Sequence, residues 1–408
     1  MEAADILLGL GGDVDYELHW DQAHLQDQVR AWGVTRDDVG QREIVDQTSL
    51  LGSICDFMST GSGGERPVAS PAILETFVAG YDWVATVGGT APRAAAAMAR
   101  VGVPGTLHLT TMNDTMRALL PPGFEWVSSS AEEHLYPHVI VQYPPGGWVE
   151  LTDGYRVDAR VANRGIYVYD PDNADLAIVP EYPELVARAR LVLVSGLNGL
   201  ASEELLARRL AQVSAGLDRA APGAIIMLEE AGYHRADLGE VVRAALSPRT
   251  TVHSMNAEEF VALAGLPGVP PNPADLIRSV AALHDRLGTE NLVVHSPEWA
   301  LAHGPLERDL RPGLELGMAL ATVRYTHGDT WQADDVDTLT TCPLAQQGID
   351  FVTWAGDRAD LAVVAGHVVD APRPTTIGLG DTFVGGFLAG LALSRAGVVV
   401  ASAAPGGS

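Results

Sequence analysis

The stretch TTIGLGDTFVGGF, residues 375–387, decides the fold class of this chain. A run rich in β-forming residues over 360–369 precedes it and small residues follow it, which predicts a strand, a glycine turn and a helix that begins near Asp381. The free amides of a helix N-terminus suit an anion, and Gly378 and Gly380 let the backbone approach one closely. Asp381 in the same turn is suited to take a proton from a substrate hydroxyl.

An anion cradle beside a general base is what phosphoryl transfer to an alcohol requires. Taken by itself, the motif over 378–381 has a simpler interpretation as a helix cap, in which Asp381 is the capping carboxylate. Further segments along the chain favour the functional interpretation over the helix cap.

The composition narrows the class of protein. The chain has 408 residues, 47% of them hydrophobic, which is enough for a large core in one or two domains. Its formal net charge is −26 and every basic residue is arginine, so we do not expect it to bind nucleic acid or an anionic membrane. Any phosphate site must therefore be local, built from arginine, backbone amides and Mg²⁺.

Cys55 and Cys342 are the only cysteines, which excludes a disulfide framework and a thiolate metal site. The acidic start of the chain and the absence of a long apolar run predict a cytoplasmic protein without a membrane segment. Residues 401–408 are expected to be disordered.

Apolar strands alternate with helical patterns over most of the chain, which indicates a mostly parallel sheet with helices on both faces. The predicted strands of its second half cover residues 191–194, 224–228, 251–254, 291–295, 348–354 and 361–364. Between 106 and 169, short strands separated by Pro and Gly turns predict a β-rich lid. The predicted α/β core covers 1–12, 67–105 and 170–400, and the predicted lid covers 13–66 and 106–169.

One loop lies where an open α/β sheet binds its ligands. Asp13 and Asp15 follow a short buried strand, and carboxylates bind sugar hydroxyls well. The Gly-Gly-Glu segment at 63–65 and the Gly-Gly-Thr turn at 88–90 add a third carboxylate and exposed backbone amides. The simpler interpretations are a solvated acidic loop, a flexible turn and an ordinary β–α connection.

Oxygen-bearing side chains suited to hydrated Mg²⁺ are predicted at Glu229, Asn256 and Glu259. Glu229 ends an apolar strand, and the spacing of Asn256 and Glu259 puts both on one face of a helix that begins there. A capping arrangement at the helix start is a serious alternative for this pair. Arg164, in the lid, is a candidate to close onto a transferring phosphoryl group, with a surface turn as the alternative.

In chain order, these segments resemble the ADP-dependent glucokinase/phosphofructokinase family of the ribokinase superfamily. The similar segments are the Gly-rich Asp loop at 9–15, Gly-Gly-Glu at 63–65, Gly-Gly-Thr at 88–90, His-x-Ile at 138–140, Asn-Arg at 163–164, Ser-Gly-Leu at 195–197, Leu-Glu at 228–229, Asn-x-x-Glu at 256–259 and Gly-x-Gly-Asp at 378–381. The resemblance implies a ribokinase-like, Rossmann-type core with a smaller lid that closes over a sugar.

The resemblance also implies roles residue by residue. Asp381 resembles the catalytic base, and Gly378, Leu379 and Gly380 resemble the backbone anion hole. The acceptor side would comprise Asp13, Asp15, Glu65, Gly88, Gly89, Thr90 and His138. The nucleotide side would comprise Arg164, Asn198, His295 and Trp299, and Glu229, Asn256 and Glu259 would position Mg²⁺. The chain departs from the family pattern at Asp13, Thr90, Met227 and Trp299, where Asn, Asn or Gln, His and Tyr are usual.

Together, the residues and the resemblance predict a Mg²⁺-dependent kinase that transfers a phosphoryl group from ADP to a hydroxyl of a sugar-like acceptor. Because no cluster of arginines accompanies Asp13 and Asp15 in the sequence, a neutral sugar, polyol or nucleoside is favoured over a sugar phosphate. The alternatives are an ATP-dependent sugar or nucleoside kinase of the wider superfamily and a catalytically silent sugar- or nucleotide-binding protein. We expect a monomer or a small homo-oligomer. A Rossmann dehydrogenase is disfavoured, because residues 9–13 lack the Gly-x-Gly-x-x-Gly spacing.

Overall fold

The computed structural model describes residues 2–130, 132–200, 202–233, 235–372 and 374–398. The strands are β1 Ile6–Leu8, β2 Asp13–Leu18, β3 Gly64–Pro67, β4 Trp83–Gly88, β5 Gly105–Leu109, β6 Phe124–Ser128, β7 His138–Tyr143, β8 Trp148–Glu150, β9 Arg156–Asp158, β10 Asn163–Val168, β11 Leu191–Val194, β12 Ile225–Glu229, β13 Val252–Asn256, β14 Asn291–His295, β15 Trp299–His303 and β16 Leu361–Ala365. The predicted tail, 401–408, lies outside the described residues.

The structure has two main sheets, a large one and a small one, and helices pack against both. The helices are α1 Gln22–Ala31, α2 Gln47–Thr60, α3 Pro71–Val78, α4 Thr90–Arg100, α5 Asp114–Leu119, α6 Pro171–Asp175, α7 Tyr182–Arg188, α8 Glu203–Leu217, α9 Ala236–Leu246, α10 Ala257–Ala264, α11 Pro273–Leu287, α12 Glu307–His327, α13 Asp335–Thr338, α14 Gln346–Ala355 and α15 Leu379–Arg395. Within the described residues, no helix is both long enough and apolar enough to cross a bilayer.

The large sheet has nine strands in the order β16-β15-β14-β13-β12-β11-β1-β5-β6. Every neighbouring pair from β13–β14 to β5–β6 is parallel, and only the β14–β15–β16 edge is antiparallel. Apart from the edge strand β6, its strands are almost entirely buried, as expected for a sheet covered on both faces. The predicted α/β class with a mostly parallel sheet is confirmed. Because β1 lies between β5 and β11, the strand order reverses there, and ligands bind at such switch points.

The small sheet has five strands in the order β3-β10-β7-β2-β4, and the helices α1, α2 and α3 pack against one of its faces. The chain passes between the two sheets after β1, after β4, after β6 and after β10. The strand β4 belongs to this small sheet, whereas β5 and β6 belong to the large one. The small sheet therefore contains β4, from the predicted core segment 67–105. The large sheet contains β5 and β6, which come almost entirely from the predicted lid segment 106–169.

One predicted strand is wrong. Residues 348–354 lie in the helix α14, whose buried side is formed by Gly348, Phe351 and Ala355. The spacing of three and four residues between them is that of a helix face, and it was obscured because apolar residues also occupy other positions of this short run. The antiparallel strand β15, buried at its first four positions, was not predicted.

The helix α15 is held against α12 by glycines at the crossing. A Cβ atom on Gly317 would lie 2.9 Å from Phe383, and one on Gly313 would lie 2.8 Å from Phe387. Only residues without a side chain allow the two helices to approach this closely. Close packing along the body of α15 fixes the position of its N-terminus, where Gly378 is the N-cap.

Candidate active site

A cleft of about 580 Å³ lies between the two sheets. It opens at the carboxyl end of β1, where the strand order of the large sheet reverses. Ten of the residues predicted from the sequence line it: Asp13, Asp15, Glu65, Gly89, Thr90, His138, Arg164, Asn198, Gly378 and Asp381. These residues come from seven separate segments of the chain, so their convergence on one cleft is produced by the fold.

The first turn of α15 forms one wall of the cleft. Gly378 caps the helix at φ 64° and ψ 25°, a left-handed conformation that favours glycine. Asp381 stands in this turn with a quarter of its side chain exposed. The first backbone amides of the helix, from Leu379 and Gly380 onward, have no acceptor within the helix and present a positive dipole end. The turn therefore combines a partly exposed carboxylate with donors for an anion.

Arg93, on α4, occupies the space between this turn and the small sheet, and sequence reasoning missed it. Its Nη2 donates to Asp15 Oδ2 at 2.6 Å and to Glu17 Oε1 at 3.2 Å. Its Nε lies 4.0 Å from Asp381 Oδ2, and its side chain is only 5% exposed. Burial alone would lower the pKa of Arg93, but Asp15, Glu17 and Asp381 raise it overall, so the guanidinium stays charged. The signal was present, because Arg93 follows the Gly-Gly-Thr turn at 88–90 by three residues.

His138 is enclosed by carboxylates on both sides of its ring. Its Nδ1 lies 3.3 Å from Asp13 Oδ1, and its Nε2 lies 3.2 Å from Asp170 Oδ2. Burial by itself lowers the pKa of His138, but Asp13, Asp170 and Glu65 raise it to about 10, so the ring is a cation at neutral pH. Burial raises the pKa of Asp13 well above its ordinary value, and hydrogen bonding from His138 helps to lower that of Asp170.

The oxygen and nitrogen atoms of Asp13, Asp15 and His138 lie within 4.8 Å of one another, a spacing that a metal ion could fit. The contacts argue for a different use. Asp15 is bound to Arg93, and the ring of His138 lies between Asp13 on one side and Asp170 on the other. This cluster is therefore already charge-compensated by the cations of the protein itself.

Backbone and amide groups hold the acidic loop in place. A Cβ atom on Gly88 would collide with Asp13 Oδ1 and lie 2.8 Å from Asp15 Cγ, so the glycine makes room for both carboxylates. Asn173, which sequence reasoning also missed, donates to the carbonyl of Gly12 at 3.1 Å and to Asp170 Oδ2 at 2.6 Å. Neither Asn173 nor Asp170 belongs to a short motif, so only the folded chain reveals them.

The residues predicted to position Mg²⁺ lie together behind Asp381. Burial raises the pKa of Glu229 to about 8, and burial together with Glu229 raises that of Glu259 to about 8. Glu229 Oε2 and His295 Nε2 are buried without a hydrogen-bond partner among the described residues. His295 Nε2 lies 3.7 Å from Glu229 Oε1, and burial lowers the pKa of His295 to about 4. An orphaned carboxylate oxygen beside a second buried carboxyl group fits a divalent cation.

Asn256 and Glu259 also form the capping box that was the alternative interpretation. Asn256 Oδ1 accepts from the amides of Glu258 and Glu259 at 2.9 Å, and Glu259 Oε2 accepts from the amide of Asn256 at 2.9 Å. Asn256 and Glu259 therefore do cap α10, and these hydrogen bonds hold both side chains in fixed directions beside Glu229.

The predicted nucleotide side is only partly assembled at the cleft. Arg164, on β10, lines the cleft, and burial lowers its pKa while Asp381 opposes that effect. Asn198 lines it from the short 3-10 helix Leu197–Gly199. His295 is buried and stacks on Phe383 with ring centroids 4.1 Å apart. Trp299 is 1% exposed and packs in the core, so its ring is not available to a nucleotide in this conformation.

A large, mostly parallel sheet and a smaller one with a cleft between them agree with the two-part architecture that the resemblance implies. The sequence profile described as "ADP-specific Phosphofructokinase/Glucokinase conserved region" matches residues 4–292, well over half of the chain. The chain therefore belongs to this family of ADP-dependent sugar kinases, phosphotransferases with an alcohol acceptor, as the resemblance predicted. Among curated proteins, none matches the chain.

Solved structures share the fold over nearly the whole chain. A hypothetical ADP-dependent phosphofructokinase from Pyrococcus horikoshii OT3 aligns with a TM-score of 0.75 at 18% identity, covering 97% of this chain and 100% of that one. A phosphofructokinase from the same organism, with AMP, aligns at 0.74 and 17%, covering 97% and 99%. An ADP-dependent kinase in complex with fructose-6-phosphate and ADPbetaS aligns at 0.72 and 14%, covering 96% and 94%.

Proposed function

We propose that this protein transfers the terminal phosphoryl group of ADP to a hydroxyl of a neutral, sugar-like acceptor, with Asp381 as the general base. The observation that carries the proposal is the position of Asp381. It stands in the first turn of α15, partly exposed, on the cleft that Asp13 and Asp15 line from the other side. An acceptor hydroxyl held by these carboxylates would meet both a base and an anion site.

The charge that develops on the transferring phosphoryl group needs donors that are already in place. The amides of the α15 N-terminus supply them on one side. Arg164 supplies a guanidinium from the lid side of the cleft. Closure of the lid would exclude water, and this would limit loss of the donor by hydrolysis.

Mg²⁺ fits the buried carboxylates Glu229 and Glu259, with Asn256 beside them. When bound, the ion would neutralise charge on the phosphate oxygens. The residues contribute in a definite way: Glu229 offers an oxygen with no partner in the described protein, while the capping box holds Glu259 and Asn256 in place. ADP is proposed as the donor because the chain belongs to an ADP-specific family.

Charge in the cleft supports an acceptor without a phosphate of its own. Its described lining carries the carboxylates of Asp13, Asp15, Glu65, Asp170 and Asp381 and the cations of Arg93, His138 and Arg164. Arg93 is bound to Asp15 and Glu17, and His138 lies between Asp13 and Asp170. Arg164 is the cation assigned above to the transferring phosphoryl group. A phosphate dianion needs cations that are free to pair with it. A neutral sugar, polyol or nucleoside needs only hydrogen-bonding partners, which these carboxylates provide.

A donor-by-acceptor screen with Mg²⁺ tests the reaction. ADP and ATP are paired with hexoses, pentoses, nucleosides and fructose 6-phosphate, and the phosphorylated product is read by mass. We expect product from ADP with a neutral acceptor. Activity on fructose 6-phosphate and on no neutral acceptor would overturn the acceptor assignment, and product from ATP alone would overturn the donor assignment.

The variant Asp381→Asn tests the base. It keeps the size of the side chain and its place in the turn but cannot accept the proton. We expect turnover to fall at least 10²-fold, within the range that general base catalysis supplies, while nucleotide binding measured by calorimetry persists. Asp275→Asn is the matched control, because Asp275 also stands in the first turn of a long helix, α11, and does not line the cleft. Near-normal turnover of Asp381→Asn would refute the assignment of Asp381 as the general base.

A further inference from the structure

Arg93 joins the two halves of the cleft. It belongs to α4, which packs against α15, yet its guanidinium binds Asp15 and Glu17 of β2 and Thr86 of β4. The helix is part of the large-sheet side of the molecule, whereas both strands belong to the small sheet. Neither the catalytic roles proposed above nor the resemblance of the sequence assigns a function to Arg93.

We propose that Arg93 is a positioning residue that fixes the distance between the acceptor-binding carboxylate Asp15 and the base Asp381. The inference rests on the proposed function for these two groups. Arg93 Nη2 lies 2.6 Å from Asp15 Oδ2, and Arg93 Nε lies 4.0 Å from Asp381 Oδ2. One rigid, planar group thus contacts the acceptor side with one nitrogen and approaches the base with another.

The surroundings leave the guanidinium little freedom to shift. Its side chain is 5% exposed, and a Cβ atom on Gly378 would lie 2.9 Å from Arg93 Cδ and from Nη1. The Arg93 side chain therefore passes directly over Gly378, the glycine that caps α15. Movement of Arg93 would displace either the pair with Asp15 or the turn that carries Asp381, so the two sides of the cleft are held in register.

Replacement by lysine separates this positioning role from a purely structural one. A lysine at this position keeps one positive charge against Asp15 and Glu17, but its single ammonium cannot also approach Asp381. If Arg93 only neutralises buried carboxylates, Arg93→Lys keeps both the stability and the turnover of the wild type. If Arg93 sets the distance, Arg93→Lys keeps the stability and the acceptor KM of the wild type, but its turnover is low.

For Arg93→Lys we expect a fall in kcat of about 10- to 100-fold, since a misplacement of about 1 Å costs that much in a preorganised site. The KM for the acceptor should change less than about threefold. Arg93→Ala should lower kcat further and raise KM, because Asp15 and Glu17 then lose their shared cation. The steady-state assay uses the purified full chain with ADP, Mg²⁺ and the acceptor found in the screen.

Arg66→Lys is the matched control. Arg66 makes an equally short ion pair, 2.6 Å to Asp56, in the same small sheet, but it packs on α2 and does not line the cleft. Its kcat should stay within about threefold of the wild type. Recovery of wild-type kcat in Arg93→Lys, or an equal loss of kcat in Arg66→Lys, would overturn the proposal.

A second measurement tests the proposal without depending on enzymatic activity. Crystal structures of the wild type and of Arg93→Lys give the separation of the Asp15 and Asp381 carboxylates directly, and we expect it to increase in the variant. An unchanged separation would overturn the positioning role. If the wild type phosphorylates no acceptor, the proposed function fails, and this measurement still decides whether Arg93 sets the distance.

Discussion

Gly378→Ala should damage both the stability and the activity of this protein, and the two effects are separable. Gly378 caps α15 at φ 64°. A residue with a Cβ atom in this left-handed conformation costs about 1–2 kcal/mol. The added Cβ would also lie 2.9 Å from Arg93 Cδ and Nη1 and 3.4 Å from Arg324 Nη2. Overpacking of this kind costs about a further 1–3 kcal/mol, since a buried guanidinium must move.

Gly288→Ala supplies the matched comparison. Gly288 caps α11 at φ 66° and ψ 19°, nearly the backbone conformation of Gly378, and a Cβ atom there would meet only Pro248 Cγ at 3.9 Å. This variant should therefore show the backbone cost of about 1–2 kcal/mol alone, with unchanged kcat. The difference in unfolding free energy between the two variants isolates the contact with Arg93.

Turnover gives the second readout. A displaced N-terminal turn no longer aims its amides at the transferring phosphoryl group, and loss of such a donor costs about 10²- to 10³-fold in kcat. Urea unfolding and steady-state kinetics of both alanine variants, side by side, measure the two effects. If Gly378→Ala is no less stable than Gly288→Ala and retains kcat within about threefold, then neither the close contact nor the anion site is as described.

Two further predictions concern single side chains. Between pH 7 and 10 the unfolding free energy of the wild type should fall with rising pH. In the folded protein the pKa of His138 is raised to about 10, so His138 keeps its proton over this range. The unfolded chain releases this proton near the ordinary histidine pKa of about 6.5. Urea titrations at several pH values should show a flatter dependence for His138→Gln, and an identical slope would contradict a charged His138. Asn256→Ala should cost about 1 kcal/mol through loss of the α10 cap, and Asn256→Ser should recover most of it. If Asn256 also supports Mg²⁺, the serine variant stays impaired in turnover at limiting Mg²⁺, whereas full recovery would limit Asn256 to capping.

The sequence predicted the α/β class because strands such as β11 and β12 are short apolar runs that alternate along the chain with longer helical patterns. It failed at α14, where a short run with apolar residues on several sides of the helix carries no clear period. The boundaries of the small sheet also differed, because pairing of β4 with β2 is a long-range contact that no local pattern encodes.

The candidate site divides in the same way. Residues inside short motifs, such as Asp381 and Asp15, were predicted and do line the cleft. Arg93, Asp170 and Asn173 were missed because their importance lies in what they contact. Arg93 gains its place only when α4 is packed between the two sheets, and Asn173 only when α6 approaches the loop at Gly12.

The passages of the chain between the two sheets have a practical consequence. Asp13, Gly89, His138 and Asp170 line the cleft and all stand at or beside these passages, so much of the site is built where the chain crosses between the sheets. The β8–β9 hairpin turns at Gly154, where an added Cβ atom would meet nothing within 4 Å. A fluorescent reporter inserted there would lie on the small-sheet side of the molecule, so it would test the proposed lid closure in real time in an otherwise native enzyme.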